Sequence, residues 1–401
     1  MVTVDYSIRG LAPSEALYVD LGVFIGYSVR ARGDLNISGL SAAFATLRRS
    51  YPVLAAHVET IDGDHMIVKP SGPLPGLSVH TGDPGQPLSG VNLSAGRALS
   101  GLHVVGDSAC ASVTLLTHHC IADGRHSVDL LSDLWSFYTD IVEGKTPDAV
   151  VHGYPESLEK LFSERGIDTP DVGNDEPLES ALNRPPTAGY TEPHRAMTQL
   201  RCRLSRRVTT GLIDFGRHHG VTVNGLVSAA IMRTESDLRS VRLADIAYHF
   251  IVDLRPHVTP AVDSTAGTNI VGFPVYRATA ESVEIVDLAR SLNEELHIDL
   301  AAGHLQSEAL TAAKMAVLLP EPNEVRCTNG GTVPPLRSPA GLKLEDCRPA
   351  PAGFSFPVYI VHGYGGRLNI EFALPHGASR YDIGRGRERI RTLESHLRSV
   401  A

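Results

Sequence analysis

The stretch "TLLTHHCIADGRHSVDLL" (residues 114–131) places two histidines, an aspartate and a glycine between an apolar run and an amphipathic segment. Residues 111–117 read as a short buried strand. After the histidines, Val128, Leu131, Leu134, Trp135, Tyr138 and Ile141 fall on one stripe of a helix that Gly144 ends. The histidines therefore occupy a strand-to-helix junction. Such a loop aims an imidazole into a cleft while the elements on either side stay rigid. Imidazole is also the side chain whose unperturbed pKa suits proton transfer near neutral pH.

These residues admit three readings. In the first, His119 is a chemical group, Asp123 four residues on orients its loop, and Gly124 supplies a backbone shape closed to other residues. In the second, the histidines are hydrogen-bonded packing at a helix start and Asp123 merely suits the N-terminal dipole. In the third, His118, His119, Asp123 and His126 bind metal. Zinc sites usually show spacings such as HxxxH or HExxH, and adjacent histidines diverge in direction, so no metal is expected. Cys120 invites a nucleophile reading, but an adjacent side chain points away from the imidazole. The residues alone leave chemistry and packing open.

Working outward, the chain has 401 residues, enough for two domains. Its 42% hydrophobic and 20% charged content is that of a globular protein. A net charge of −9 argues against a general nucleic-acid binder and against a polybasic membrane surface. Lysine is scarce (Lys69, Lys145, Lys160, Lys314 and Lys343) beside arginine, and Ala and Gly are abundant, a bias of GC-rich coding DNA that points to a bacterial source. The N-terminal segment lacks a basic region followed by an apolar run, and no stretch approaches 18 uncharged apolar residues. Five scattered cysteines without a CxxC pair argue against a disulfide framework. A cytoplasmic protein with reduced thiols is the expectation.

"NISGLSAAFATLRRSYPVLAAHVE" (residues 36–59) predicts a helix through Leu40, Phe44 and Leu47, then a strand after Pro52. Residues 151–195, rich in Pro, Gly and acids, read as a linker containing a short helix. Beyond it Ser205 and Thr222 are placed as N-caps of two helices. A strand is expected at about 244–253, and a helix capped by Ser282 carries Ile285, Leu288 and Leu292 inward. "SFPVYIVHGYGGRLNIEFAL" (residues 355–374) is a hairpin signal, its "GYGG" a turn and not a phosphate cradle. A last helix runs through Ile390, Leu393 and Leu397. His218 and His219 read as a solvated helix end. The expected class is α/β (α+β mixed sheets), with residues 1–150 one lobe, 151–195 the linker and 196–401 the second lobe.

"HHCIADG" (residues 118–124) resembles the HHxxxDG signature of the acyltransferase superfamily containing chloramphenicol acetyltransferase, the plant BAHD acyltransferases and condensation domains of non-ribosomal peptide synthetases. The chain is most similar to polyketide-associated acyltransferases of the phthiocerol dimycocerosyl transferase type. Three further segments match in order: residues 40–59 resemble the opening helix and strand. "VDLRP" followed by "GTNIVGF" resembles the VDxR and FGN segments, and "RCTNGGTVPPL" resembles the late TSW or SNxG loop. The BAHD motif DFGWG is absent, with "EDCRPAP" roughly in its place.

The resemblance implies two chloramphenicol-acetyltransferase-like lobes with the active site in a channel between them. It implies an O-acyltransferase that moves an acyl group from a CoA or carrier-protein thioester to a hydroxyl of a polyketide or lipid-like acceptor. His119 would be the general base, without a covalent enzyme intermediate. His118 would shape the loop, and Asp123 would pair with Arg255 to hold it. Gly124 would meet a backbone requirement, and Asn269 would brace the crossover between lobes. Thr328 and Asn329 are candidate oxyanion or substrate contacts. No cofactor would be held permanently, the acyl-CoA or phosphopantetheinyl carrier protein being a co-substrate. A carrier protein or polyketide synthase is a candidate partner, for which Arg201, Arg203, Arg206 and Arg207 offer a basic patch. The alternatives are a free-standing amide-forming condensation enzyme and a non-catalytic carrier-docking protein.

Overall fold

Why the chain turns back on itself is first seen at its start. Pro13 opens the helix α1 (Pro13–Leu21) with its φ already set, Glu15 accepts the Ala12 N–H at 2.9 Å, and Gly22 ends the helix at φ 62°. The computed structural model describes residues 6–70, 72–107, 109–168, 196–279, 284–311 and 322–401. Strand β1 (Ser7–Gly10) precedes α1, and β2 (Phe24–Gly33), α2 (Ile37–Ser50), β3 (His57–Ile61) and β4 (Asp64–Val68) follow. Next come β5 (Ser78–His80), β6 (Ser100–Gly106), β7 (Cys110–His118), α3 (Gly124–Val142) and α4 (Leu158–Ser163).

The second half continues with β8 (Thr198–Arg203), α5 (Arg206–His219), α6 (Val223–Arg239), β9 (Ala247–Phe250) and β10 (Val252–Asp253). It proceeds through β11 (Val271–Gly272), β12 (Val275–Tyr276), α7 (Ile285–Ala302), α8 (His304–Ala309) and β13 (Glu324–Thr332). The last elements are β14 (Leu342–Pro349), β15 (Val358–Tyr364), β16 (Arg367–Leu374) and α9 (Arg380–Ser399).

The architecture is α/β with mixed sheets in two lobes. The first sheet runs β14-β2-β7-β6-β5 and the second β12-β9-β13-β15-β16-β8. One strand crosses between them. β14 leaves the second half and pairs antiparallel with β2, from Leu342 opposite Gly33 to Pro349 opposite Tyr27. The lobe expected over 196–401 thus supplies an edge strand to the first sheet.

Each sheet has its own core. Leu40, Phe44 and Leu47 of α2 and Val128, Leu131, Leu134 and Trp135 of α3 are buried together over β2 and β7. Each such side chain contributes about 1.5–3 kcal/mol by leaving water. The second core gathers Leu226 and Ile231 of α6, Leu288 and Leu292 of α7, and Leu393 and Leu397 of α9. A smaller cluster sets Leu158 and Phe162 of α4 against Leu254 and Ile270, and so anchors the segment that carries Arg255.

Ser205 and Thr222 cap α5 and α6 through Val208 N and Gly225 N. The turn between β15 and β16 uses Gly365 and Gly366 at φ 59° and 72°, which glycine tolerates. Two expectations need correction. The strand expected at 244–253 is divided into a 3-10 turn (Leu243–Asp245), β9 and β10, because β9 pairs with β12 and β13 in the second sheet while β10 pairs with β11 in a separate two-stranded sheet. The N-cap of α7 is Glu284, without a side-chain cap; Ser282 lies outside the described residues, as does residues 169–195 of the expected linker.

Candidate active site

The motif starts where β7 stops. Phe24 on β2 pairs with His118, so the first residues of β2 and the histidines lie side by side. The His119 N–H donates to the Val23 carbonyl at 2.9 Å, and Ile121 N–H donates to the His118 carbonyl at 3.1 Å. Cys120, Ile121 and Ala122 are completely buried. A loop with an apolar underside and satisfied backbone groups is fixed in place.

The two histidines diverge. His118 is fully buried, meets Phe24 edge-on at 4.8 Å and accepts the Cys120 N–H on Nδ1 at 3.2 Å. His119 remains partly exposed, and its ring stacks on Tyr18 of α1 at 4.0 Å with 12° between planes. Phe354 closes its edge at 6.3 Å. Burial lowers the His119 pKa below its ordinary 6.5, opposed by the Asp123 charge, the carbonyls of His119 and Ala122, and Asn269. Burial thus favours the neutral imidazole, the form that accepts a proton. Burial raises the Cys120 thiol well above its usual range, which leaves it a poor nucleophile.

Asp123 serves two groups at once. Its Oδ1 accepts the N–H groups of Arg125 and His126, both at 3.1 Å, and so caps α3. Its Oδ2 accepts Arg255 Nη1 at 2.7 Å, with both side chains about 5% exposed or less. Arg255 also donates to Asp253 Oδ1 at 3.1 Å and the Gly267 carbonyl at 3.2 Å. The capping and pairing readings are therefore compatible. Asn269 donates from Nδ2 to the His119 carbonyl at 2.7 Å. Its neighbour Thr268 donates to Glu15 of α1 at 2.9 Å, tying the helix under Tyr18 to the same segment.

Gly124 does not supply a special backbone shape, since its φ is not in the left-handed region. It supplies room. A Cβ there would sit 3.9 Å from the Gly330 Cα and 4.0 Å from the Tyr27 hydroxyl, ordinary contact distances. Gly330 on β13 is the crowded member, because a Cβ there would collide with that hydroxyl. The two glycines bring β13 against the start of α3.

Thr328 is half-buried on β13. Asn329 is exposed, donates to Asn224 Oδ1 at 3.0 Å and accepts the Gly331 N–H at 2.8 Å, so its amide shapes the strand end. The expected basic patch loses Arg201, which pairs with Asp346 and with the buried Glu371 at 2.9 Å. Arg206 is turned onto the Gly365 carbonyl at 2.8 Å. Sequence reasoning missed Tyr18, Tyr27, Gly330 and Phe354. Helix α1 itself was not read from the sequence, and no local signal aims Tyr18 at His119.

A family model described as "Phthiocerol/phthiodiolone dimycocerosyl transferase C-terminus" matches residues 193–373. The phthiocerol/phthiodiolone dimycocerosyl transferase of Mycobacterium tuberculosis H37Rv is 32% identical over 407 residues, covering 96% of each chain. The chain belongs to the phthiocerol/phthiodiolone dimycocerosyl transferase family. It is a transferase of the acyltransferase superfamily. The Mycobacterium leprae member of the family is 33% identical over 358 residues, covering 84% of this chain and 85% of that one. Polyketide synthase associated protein 5 from Mycobacterium tuberculosis superposes with a TM-score of 0.83 at 30% identity over 98% of both chains. The trichothecene 15-O-acetyltransferase of Fusarium sporotrichioides shares the fold at 12% identity and a TM-score of 0.67, over 97% of this chain and 94% of that one. Among the described residues, no helix is long and apolar enough to cross a membrane.

Proposed function

We propose that this family member transfers an acyl group from a CoA or carrier-protein thioester to a hydroxyl of a polyketide or lipid-like acceptor, with His119 as general base. The relatives' name, phthiocerol/phthiodiolone dimycocerosyl transferase, supports acyl transfer to an acceptor of that kind. The observation that carries the reading is the placement of His119. It is partly exposed, with its ring set by Tyr18 and its carbonyl set by Asn269 from the second half, and burial favours its neutral form.

In this reading His119 takes the alcohol proton as the oxygen attacks the thioester carbonyl, then returns it to the departing thiolate. Acyl transfer is direct, with no acyl-enzyme. Asp123, Arg255 and Asn269 hold the loop, and His118 packs beneath it. Thr328 is proposed as a donor to the developing oxyanion, and Asn329 as the brace of the strand that carries it. No cofactor is held; the thioester is a co-substrate.

The test is thiol release from a panel of acyl-CoAs and acyl carrier proteins, with and without long-chain alcohols. Wild type is expected to release thiol faster when alcohol is present, and His119→Ala to lose roughly 10²–10⁴-fold of that rate. Equal alcohol-dependent rates in the two proteins would remove His119 from the reaction.

A further inference from the structure

Helix α1 carries Tyr18 against the His119 ring, yet the one buried residue of this helix is a carboxylate, Glu15. A helix of nine residues whose apolar side chains are at most partly buried takes little hold from the core. Its hold is polar. Arg9 of β1 closes on Glu15 as a fork, Nη1 to Oε2 and Nη2 to Oε1, both at 2.7 Å. The Ala12 N–H and the Thr268 hydroxyl donate to the same carboxylate, each at 2.9 Å. Glu15 is fully buried, so these donors replace the water it has lost. A bidentate arginine–carboxylate pair fixes angle as well as distance.

Two paths lead from Glu15 to His119. The first runs along α1, where Tyr18 stands one turn on from Glu15 and stacks its ring on the imidazole at 4.0 Å. The second crosses to the other half of the chain. Thr268 holds Glu15 through its hydroxyl, and the next residue, Asn269, donates to the His119 carbonyl at 2.7 Å. Arg9 is itself held, because its Nη2 also donates to the Pro155 carbonyl at 2.9 Å. The His119 Nδ1 is buried and makes no hydrogen bond to a described residue, so the plane of the ring rests on the Tyr18 stack. Both the ring and the carbonyl of His119 are thus tied to one carboxylate.

We propose that Glu15 is a positioning residue for His119, holding Tyr18 through α1 and Asn269 through Thr268 so that the imidazole keeps one orientation. The inference rests on the reading of His119 as general base. Glu15 acts through geometry and not by touching a reacting atom. Misplacing a reacting group by about 1 Å can lower a rate roughly 100-fold. A carboxylate held from both halves makes the aim of the base depend on how the halves meet.

The stack itself gives a readout without turnover. A proton over an aromatic face resonates upfield, so the His119 Hε1 signal of protein carrying isotopically labelled histidine reports the Tyr18 ring. Spectra are recorded at alkaline pH, where imidazoles are neutral. His119→Ala identifies the signal by its loss, and Tyr18→Ala gives its position without the stack. Glu15→Gln keeps the shape of the side chain but not the charged fork with Arg9. It is expected to move the signal at least halfway to its Tyr18→Ala position, and to lower kcat roughly 10–100-fold with KM within about two-fold. Thr268→Val leaves the Arg9–Glu15 pair intact, and is expected to keep the stack and lower kcat by less. Should Glu15→Gln strand Arg9 and fail to fold, Arg9→Met combined with Glu15→Gln removes both charges together and is read in the same way. An unmoved His119 signal in the folded Glu15 variant would overturn the proposal, because a carboxylate that only stabilises the fold leaves the stack in place. A kcat untouched by Thr268→Val overturns the path through Asn269. A signal that moves while kcat stays unchanged supports the positioning and counts against His119 as the base.

Discussion

Arg255 Nη1 lies 2.7 Å from Asp123 Oδ2, so the residue that caps α3 is also the partner of an arginine from the other half of the chain. The pair is buried and 132 residues apart in sequence. Whatever moves the second half at Arg255 is felt at the loop that holds His119.

Removing the carboxylate separates its two roles. Asp123→Ala strands Arg255 in the interior and uncaps α3, and should cost about 3–5 kcal/mol of stability. Asp123→Asn still caps a helix and should recover about 1 kcal/mol of that loss. Denaturant midpoints of the three proteins check the order. Equal losses for Ala and Asn would mean that the cap contributes nothing.

The two facing glycines should behave oppositely. Gly124→Ala places its methyl at contact distance in the first turn of a helix and should fold with little penalty. Gly330→Ala drives a methyl into the Tyr27 hydroxyl and should cost about 1–3 kcal/mol. Adding Tyr27→Phe to Gly330→Ala removes the obstructing oxygen and should restore most of the melting temperature. A double variant no more stable than Gly330→Ala alone would place the strain elsewhere.

Because burial lowers the His119 pKa below 6.5, the protonated, inactive base appears only at acid pH. The acid limb of kcat/KM should therefore have its midpoint below 6.5, with a flat profile through pH 7. Tyr18→Phe keeps the stacked ring and should leave this profile and kcat nearly unchanged. Tyr18→Ala frees the imidazole to rotate and hydrate, and should lower kcat and move the midpoint towards 6.5. Superimposable profiles for Ala and wild type would deny Tyr18 a positioning role.

Acid should weaken the fold through two other histidines. His126 and His362 are buried, and burial first of all pulls each pKa down to about 4. Around His126, Asp123 and Asp129 favour protonation and Arg255 opposes it. The unfolded chain, titrating near 6.5, binds more protons than the folded chain between those values, so stability is lost as pH falls from about 6.5 to about 4. Each histidine contributes on the order of 3 kcal/mol to that slope. Urea midpoints at pH 7 and pH 4.5 should converge in His126→Gln relative to wild type. An unchanged difference would show that His126 is not the titrating group.

Local patterns carried the elements next to the motif. The apolar run before His118 and the stripe from Val128 to Tyr138 identify β7 and α3 because burial at a fixed period is written residue by residue. Ser205, Thr222 and the Gly365-Gly366 turn were readable for a similar reason, since caps and turns are settled by near neighbours. The strand at 244–253 was read as one piece because its division answers to Val271 and Gly272, which pair with β10 in a separate sheet and are remote in sequence. Arg201 looked like a surface charge because Asp346 and Glu371, which enclose it, lie 145 and 170 residues further along the chain.

By itself the sequence determined the strand–loop–helix that presents His119 and the resemblance that named its superfamily. Periodicity, capping and a short motif are local properties, preserved wherever the segment sits. Tertiary structure alone decided that Tyr18 stacks on the imidazole, that Asn269 holds its carbonyl, and that β14 returns to the first sheet. It also decided that Gly330, not Gly124, is the glycine without space for a methyl. Such contacts depend on sheet register and lobe packing, where many distant burials are satisfied together, and no window of sequence contains them.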